Sequence, residues 1–271
     1  MKKTMPRLQP SPSRLLTFAH ELADLSGEAI GRHFRRALAV TNKADGVQFD
    51  PVTVADREAE RRMRQAIAKA FPDHGVVGEE FAPRPGAGRF HWILDPIDGT
   101  RAFMIGSPMW GTLIALTDRG RPVLGIMNQP FTRERYWAAT GVARLQGPVG
   151  RPRRLKTRTC VRLEDAVLTT THPDLFAEQR ERARFAEVKD RVLMTRFGGD
   201  CYGYCLLAAG FVDLIIEVGL KPYDVMALIP IIENAGGIIT TWEGEPALAG
   251  GRIVAAGDAR THRQALRLLA G

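Results

Sequence analysis

Apolar residues recur at helical spacing near the start of the chain. Leu15, Phe18, Leu22, Leu25 and Ala29 fall three or four positions apart, so they line one stripe of an amphipathic helix. Ser13 stands where a hydroxyl caps such a helix, and residues 1–12 read as a loose tail. A second stripe, Ala59, Met63, Ala66, Ile67 and Ala70, predicts another helix that begins near Thr53 or Asp56. Pro72-Asp73-His74-Gly75 ends it. Val76-Val77 then forms a short strand ending at Glu79, and the proline- and glycine-rich stretch 83–88 is a loop. Trp92-Ile93-Leu94 is a continuous apolar run, which reads as a buried strand.

From 110 to 139 the pattern predicts three strands, with turns at Asp118-Arg119-Gly120 and Gln129-Pro130. A basic, glycine- and proline-rich stretch at 147–158 marks a boundary. Beyond it strands near 166–170, 192–195 and 212–217 alternate with helices near 174–186 and 200–209. A helix from Tyr223 to Asn234, strands near 237–241 and 252–256, and a last helix complete the chain. The alternation gives an α/β class and no finer architecture. An N-terminal subdomain over 1–150 and a C-terminal one over 151–271 are expected to form one compact unit.

Composition narrows the setting. The 271 residues are 45% hydrophobic and 25% charged, enough for a sizeable buried core. No apolar run approaches the ~18 to 20 residues that span a bilayer, and no apolar leader is visible near the N-terminus. The three cysteines lack metal-type spacing, and Cys201 and Cys205 lie four apart on an expected helix. Buried thiols in a reducing cytoplasm fit that pattern. The net charge of +8 suits either nucleic acid or phosphorylated metabolites. The densest basic cluster, Arg151-Pro152-Arg153-Arg154-Leu155-Lys156, has no interleaved aromatics to stack bases. It reads as a solvated loop or edge strand.

The chemistry concentrates at residues 92–101. The strand Trp92-Ile93-Leu94 runs into two carboxylates, Asp95 and Asp98. Pro96 is expected to stop the strand, Gly99 to free a sharp turn, and Thr100 to cap a helix from about Arg101. Carboxylates collect hard cations such as Mg2+, which share oxygen ligands with phosphate. A helix N-terminus offers free N–H groups to an anion. The segment therefore describes a metal-assisted phosphate site, set against the plainer alternative of a turn with two solvated acids.

Other acids accompany it: Asp56 in Asp50-Pro51-Val52-Thr53-Val54-Ala55-Asp56, Glu79 and Glu80 after Gly78, and Asp224 in Lys221-Pro222-Tyr223-Asp224. A helix and Ala235-Gly236-Gly237 follow the last of these. In order and rough spacing, from about Lys43 to Gly257, these motifs resemble the inositol monophosphatase superfamily. The resemblance implies a layered α/β/α/β/α sandwich and two or three Mg2+ ions, with Mn2+ as a substitute. It assigns Glu79, Asp95 and the Ile97 carbonyl to a first ion and Asp95, Asp98 and Asp224 to a second. Thr100 and Asp56 would orient the attacking water, and Glu80 would support a third ion. Family members are usually homodimers, so a homodimer is expected.

The stretches Gly198-Gly199-Asp200-Cys201-Tyr202-Gly203-Tyr204-Cys205, Lys221-Pro222-Tyr223-Asp224 and Trp110-Gly111-Thr112-Leu113-Ile114-Ala115-Leu116 resemble the histidinol-phosphate phosphatase branch. Histidinol phosphate carries an amine and an imidazole, which Asp200 and Glu217 can meet as charge-assisted partners. Gly99 and Thr100 would complete the substrate contacts, with Arg196 supporting the site from behind. Asp200 has a rival role as a helix N-cap after Gly198-Gly199. The alternatives are an inositol-1-monophosphatase or a related small-metabolite phosphatase, and, in another class, an RNA-associated protein. No membrane or nucleic-acid partner is expected.

Overall fold

A computed structural model describes residues 10–36, 40–42 and 51–270. Residues 1–9 of the expected tail 1–12, Asp50 and the start of the family resemblance near Lys43 lie outside the described residues. In chain order the elements are α1 (Pro12–Gly31), β1 (Val40–Asn42), β2 (Pro51–Thr53), α2 (Val54–Ala70), β3 (Gly75–Gly78), β4 (Phe90–Asp98) and α3 (Thr100–Met104). Then come β5 (Gly111–Asp118), β6 (Arg121–Gln129), β7 (Glu134–Ala139), β8 (Val142–Gln146), β9 (Arg153–Arg154), β10 (Val167–Thr170), α4 (Gln179–Lys189), β11 (Met194–Phe197) and α5 (Asp200–Ala208). The chain ends with β12 (Leu214–Leu220), α6 (Pro222–Val225), α7 (Leu228–Asn234), β13 (Ile238–Thr241), β14 (Gly251–Ala256) and α8 (Ala259–Ala270).

Two sheets organise the molecule. Seven strands run in the order β3-β4-β5-β6-β7-β8-β9, and five in the order β11-β10-β12-β14-β13. The first is antiparallel except for the β3–β4 pair, and the second mixes both senses. Helices α1 and α2 cover the outer face of the seven-stranded sheet, burying Leu22, Met63 and Ile67 against Trp92, Leu94 and Ile114. Helices α5 and α7 fill the space between the sheets, where Leu207, Ile231 and Ile232 meet Leu113, Met127 and Ile253. Helices α4 and α8 close the far face of the second sheet, with Phe185 and Leu269 packed on Leu214, Ile216 and Val254. The result is the α/β/α/β/α sandwich.

Strand alternation decides which side chains face the middle layer. Along β4, Trp92 and Leu94 point to the outer core and Ile93 to the inner one, so Asp95, two residues after Ile93, shares its inward face. Along β12, Leu214 and Ile216 point outward and Ile215 inward, so Glu217 also turns inward. The two sheets thus aim acids at the same layer.

Several local expectations need correction. Ser11, not Ser13, caps α1, accepting from the Arg14 N–H at 3.3 Å. Pro12 occupies the first turn, where its missing N–H costs nothing. Pro96 does not end β4. The pairing with β5 shifts between Asp95 and Asp98, and a proline is tolerated at such a bulge. The expected helix 223–234 is two, α6 and α7. Pro230 has no N–H to offer the Met226 carbonyl four residues back, so the ladder breaks there. The expected helix at 174–186 is a 3₁₀ turn at Pro173–Leu175 followed by α4. Strands β8 and β9 carry no clear sequence signal. Arg151, Arg153 and Arg154 are exposed, the last two on the sheet's edge strand. Cys160, Cys201 and Cys205 are buried free thiols. Among the described residues no helix is long and apolar enough to cross a membrane.

Candidate active site

The bulge in β4 sends Asp95 and Asp98 toward one point. Asp95 is 2% exposed, and its Oδ1 has no hydrogen-bond donor among the described residues. Asp98 lies at the strand end, and its Oδ2 accepts the Cys201 N–H from the first turn of α5 at 2.6 Å. Asp224 comes from the second sheet's side, at the third position of α6. Its Oδ2 accepts the Lys221 N–H at 2.6 Å, which fixes the carboxylate over the helix start. One oxygen from each of Asp95, Asp98 and Asp224 lies within 4.8 Å of the others.

The neighbouring acids crowd this cluster. After burial, the largest influence raising the Asp95 pKa is Glu79, then Asp98, Asp224 and Asp56. Burial also raises Asp98, followed by Asp224 and Asp200. The Asp224 carboxyl is pushed up to about 7, chiefly by burial. Anions packed this closely oppose one another's ionisation, and a cation between them reverses the sign of that interaction. Together with the donor-less Asp95 Oδ1, the all-oxygen set fits a hard divalent ion.

The remaining expected residues fall into three places. Ile97 is buried, and its carbonyl accepts the Thr100 hydroxyl at 3.0 Å. Thr100 is therefore not a helix cap. It is the first residue of α3, and Gly99 is the cap, at φ 90°, a conformation glycine adopts without strain. Asp56 is the N3 acid of the capping box of α2: its Oδ2 accepts the Thr53 N–H at 2.9 Å and the Thr53 hydroxyl at 2.6 Å. Among the described residues its Oδ1 has no donor, so no hydrogen bond links it to Thr100. Burial pushes the Asp56 pKa up to about 6. Glu80 faces the Arg57 Nε at 3.9 Å.

A cavity of about 230 Å³ opens beside the cluster, bounded by Asp98, Gly99, Thr100, Asp200, Glu217 and Asp224. Asp200 is the first residue of α5. The N-cap is Gly199, so the rival capping role for Asp200 does not hold. Burial, then the charge of Glu217, pushes the Asp200 pKa up to about 7, while the Gly199 backbone and Arg101 pull it back. Glu217 is 3% exposed and well supplied with donors. The Thr171 N–H (2.8 Å) and hydroxyl (2.6 Å) reach its Oε1, and the Tyr204 hydroxyl reaches its Oε2 at 3.0 Å. Arg196 stands exposed on β11, bounding a neighbouring cavity that shares Arg101, Thr171 and Asp200 with this one. Sequence reasoning missed the parts played by Thr171, Arg101 and Tyr204. The run Thr169-Thr170-Thr171 at a strand end was the available signal.

The raised pKa values have a measurable consequence. A carboxyl whose folded pKa exceeds its unfolded value contributes stability at low pH that is lost as pH rises through the folded pKa. For Asp224 that loss begins near its ordinary pKa of 3.8 and is complete just above its folded value of about 7, so its last part still falls between pH 6 and 8. Half-buried His20 and buried His74 and His262 have pKa values lowered by burial and tilt the whole protein the other way, so the difference from a variant isolates the aspartate. With divalent ions chelated, Asp224→Asn should gain stability over the wild type as pH rises from 6 to 8. A margin that is constant or shrinks in thermal or urea unfolding would contradict the crowded-acid geometry.

The inositol monophosphatase family pattern matches residues 11–270, and the chain belongs to that family. It is thus a phosphatase-class protein with the family's layered fold. Over 268 residues it is 43% identical to the bifunctional phosphatase IMPL2, chloroplastic, of Arabidopsis thaliana, covering 94% of this chain and 75% of that one. The histidinol-phosphatase of Mycobacterium tuberculosis is 36% identical over 258 residues, covering 94% and 98%. A solved inositol monophosphatase from Zymomonas mobilis superposes with a TM-score of 0.85 at 41% identity, covering 97% and 100%.

Proposed function

We infer that this chain hydrolyses a phosphate monoester carrying a cationic group near the ester, histidinol phosphate first among them, with Mg2+ as the metal. The observation that carries the substrate is Asp200: a carboxylate in the cavity wall beside the acid cluster, held near its midpoint of ionisation at neutral pH. An entering ammonium group would draw it to the ionised form and pair with it. The names of the M. tuberculosis relative and of a Chlorobaculum parvum histidinol-phosphatase, 35% identical over 246 residues, agree with this assignment.

Glu79, Asp95 and the Ile97 carbonyl would hold one Mg2+ or Mn2+, Asp95, Asp98 and Asp224 a second, and Glu80 would support a third. Such ions neutralise phosphoryl charge, acidify a water and stabilise the leaving alkoxide. The protein's own groups supply the rest. The Thr100 hydroxyl donates to the Ile97 carbonyl, which leaves its oxygen lone pairs free to accept a hydrogen bond from the attacking water and orient it. The donor-less Asp56 Oδ1 is the nearby base whose raised pKa suits proton acceptance at neutral pH. Gly99 and Thr100 line the cavity where the phosphate would sit.

Glu217 contacts substrate less directly than expected, because Thr171 and Tyr204 occupy its oxygens. Its charge acts on the ammonium through the field it shares with Asp200. We place the enzyme in a reducing cytoplasm as a homodimer, consistent with three buried free thiols, with its basic edge solvated rather than bound to nucleic acid. Inositol 1-phosphate is the second reading, favoured by the likeness to the Z. mobilis structure. Initial rates with Mg2+ on histidinol phosphate and inositol 1-phosphate decide between them. The expected result is a higher kcat/KM for histidinol phosphate. Preference for inositol 1-phosphate would remove the substrate assignment and leave the phosphatase class intact.

A further inference from the structure

Helix α2 carries a buried carboxylate that the chemistry above leaves unused. Glu60 is 0% exposed, one helical turn beyond Asp56 and on the same face. Its Oε2 accepts the Glu80 N–H at 2.8 Å, and its Oε1 accepts from Arg64 Nε at 2.6 Å. Arg64 extends the connection by donating to the Phe81 carbonyl at 2.8 Å and the Ala82 carbonyl at 3.1 Å. Gly78 provides the space for this approach, since a Cβ there would lie 2.1 Å from Glu60 Oε1. Three hydrogen bonds and the close approach at Gly78 thus fasten residues 78–82 to one face of α2, and this is the segment that brings Glu79 to the acid cluster.

A buried ion pair of this kind is a weak source of stability, because desolvating both charges offsets their attraction. What it does supply is a fixed backbone register. We propose that Glu60, with Arg64, is a positioning residue that sets the Glu79 carboxylate opposite Asp95 before a cation binds. This role rests on Glu79 being a cation ligand. Groups that orient metal ligands from behind commonly account for 10–100-fold in metal affinity.

The test is Mn2+ binding to the full-length protein by calorimetry, beside the Mg2+ dependence of turnover. Glu60→Gln keeps one acceptor oxygen but places an amide where the other donor needs one. It should bind Mn2+ about 10–100-fold more weakly, with kcat largely restored at saturating Mg2+. Gly78→Ala should show the same weakening with Glu60 intact, because the added methyl displaces it. Glu58→Gln, on the same helix but paired with Arg62 and His33, should leave both quantities unchanged. Should Glu60→Gln fail to fold, Gly78→Ala and Arg64→Lys carry the measurement. Unchanged Mn2+ affinity in these folded variants overturns the proposal. Glu79→Gln separates the two possible failures. If it weakens Mn2+ and Glu60→Gln does not, the positioning role is wrong; if it also binds like the wild type, Glu79 is no ligand and the underlying metal assignment falls with it.

Discussion

Asp95→Asn is expected to lose on the order of a thousandfold in kcat/KM, while the metal-free protein melts no lower than the wild type. The first half follows from the position of Asp95 within ligand reach of Asp98 and Asp224 and in the field of Glu79. A carboxylate there can offer an oxygen to each of two ions, and an amide offers one neutral oxygen. Stabilisation of phosphoryl charge by such ions amounts to several kcal/mol, and about 4 kcal/mol corresponds to three decades of rate. The second half follows from the same crowding. Asp95 is buried among four acids that oppose its charge, so a neutral isostere relieves repulsion in the chelated protein. Rates with saturating Mg2+ and melting curves in chelator give the two readings. Turnover near that of the wild type would end the two-ion arrangement. A large fall in melting temperature would make Asp95 a structural residue instead.

Asp200→Asn should lower kcat/KM for histidinol phosphate about ten- to a hundredfold and barely change that for p-nitrophenyl phosphate. A hydrogen bond to a charged group contributes roughly 1.5–3 kcal/mol, and each ~1.4 kcal/mol is a decade. The substitution is chosen for the backbone as well. Asp200 adopts φ 44°, a left-handed conformation that asparagine tolerates far better than a β-branched residue does. The variant therefore removes the charge and keeps the turn. Equal losses on both substrates would mean that Asp200 serves the cluster rather than the amine.

How far these residues could be read from the sequence depended on how local their signals were. Asp95, Asp98 and Gly99 are announced within one decapeptide, and strand alternation alone predicts that Asp95 follows Ile93 inward. The five layers were not legible from periodicity, which fixes faces but not which face meets which; the resemblance to a family supplied them. Thr100 was misplaced by one position because its hydroxyl prefers the Ile97 carbonyl to a helix N–H, a choice made by the bulge. Glu60 was invisible for a different reason. In Arg57-Glu58-Ala59-Glu60-Arg61-Arg62-Met63-Arg64 it reads as one charge among many on a solvated helix, and its burial comes from a segment distant in sequence that packs over it at Gly78.

The turn at Gly99 sits against the start of α5: a Cβ on residue 99 would lie 3.2 Å from the Cβ of Asp200 and 2.8 Å from the Met109 carbonyl oxygen. The residue assigned to choosing the substrate therefore leans on the turn that carries Asp98 and Thr100. Selection for a new substrate and selection for turnover cannot act on these positions separately. Unbranched side chains at 200 leave the turn where it is, and branched ones push on it. Descendants of this sequence have an open route to new specificity through the polar tip of residue 200, and a closed one through its shape.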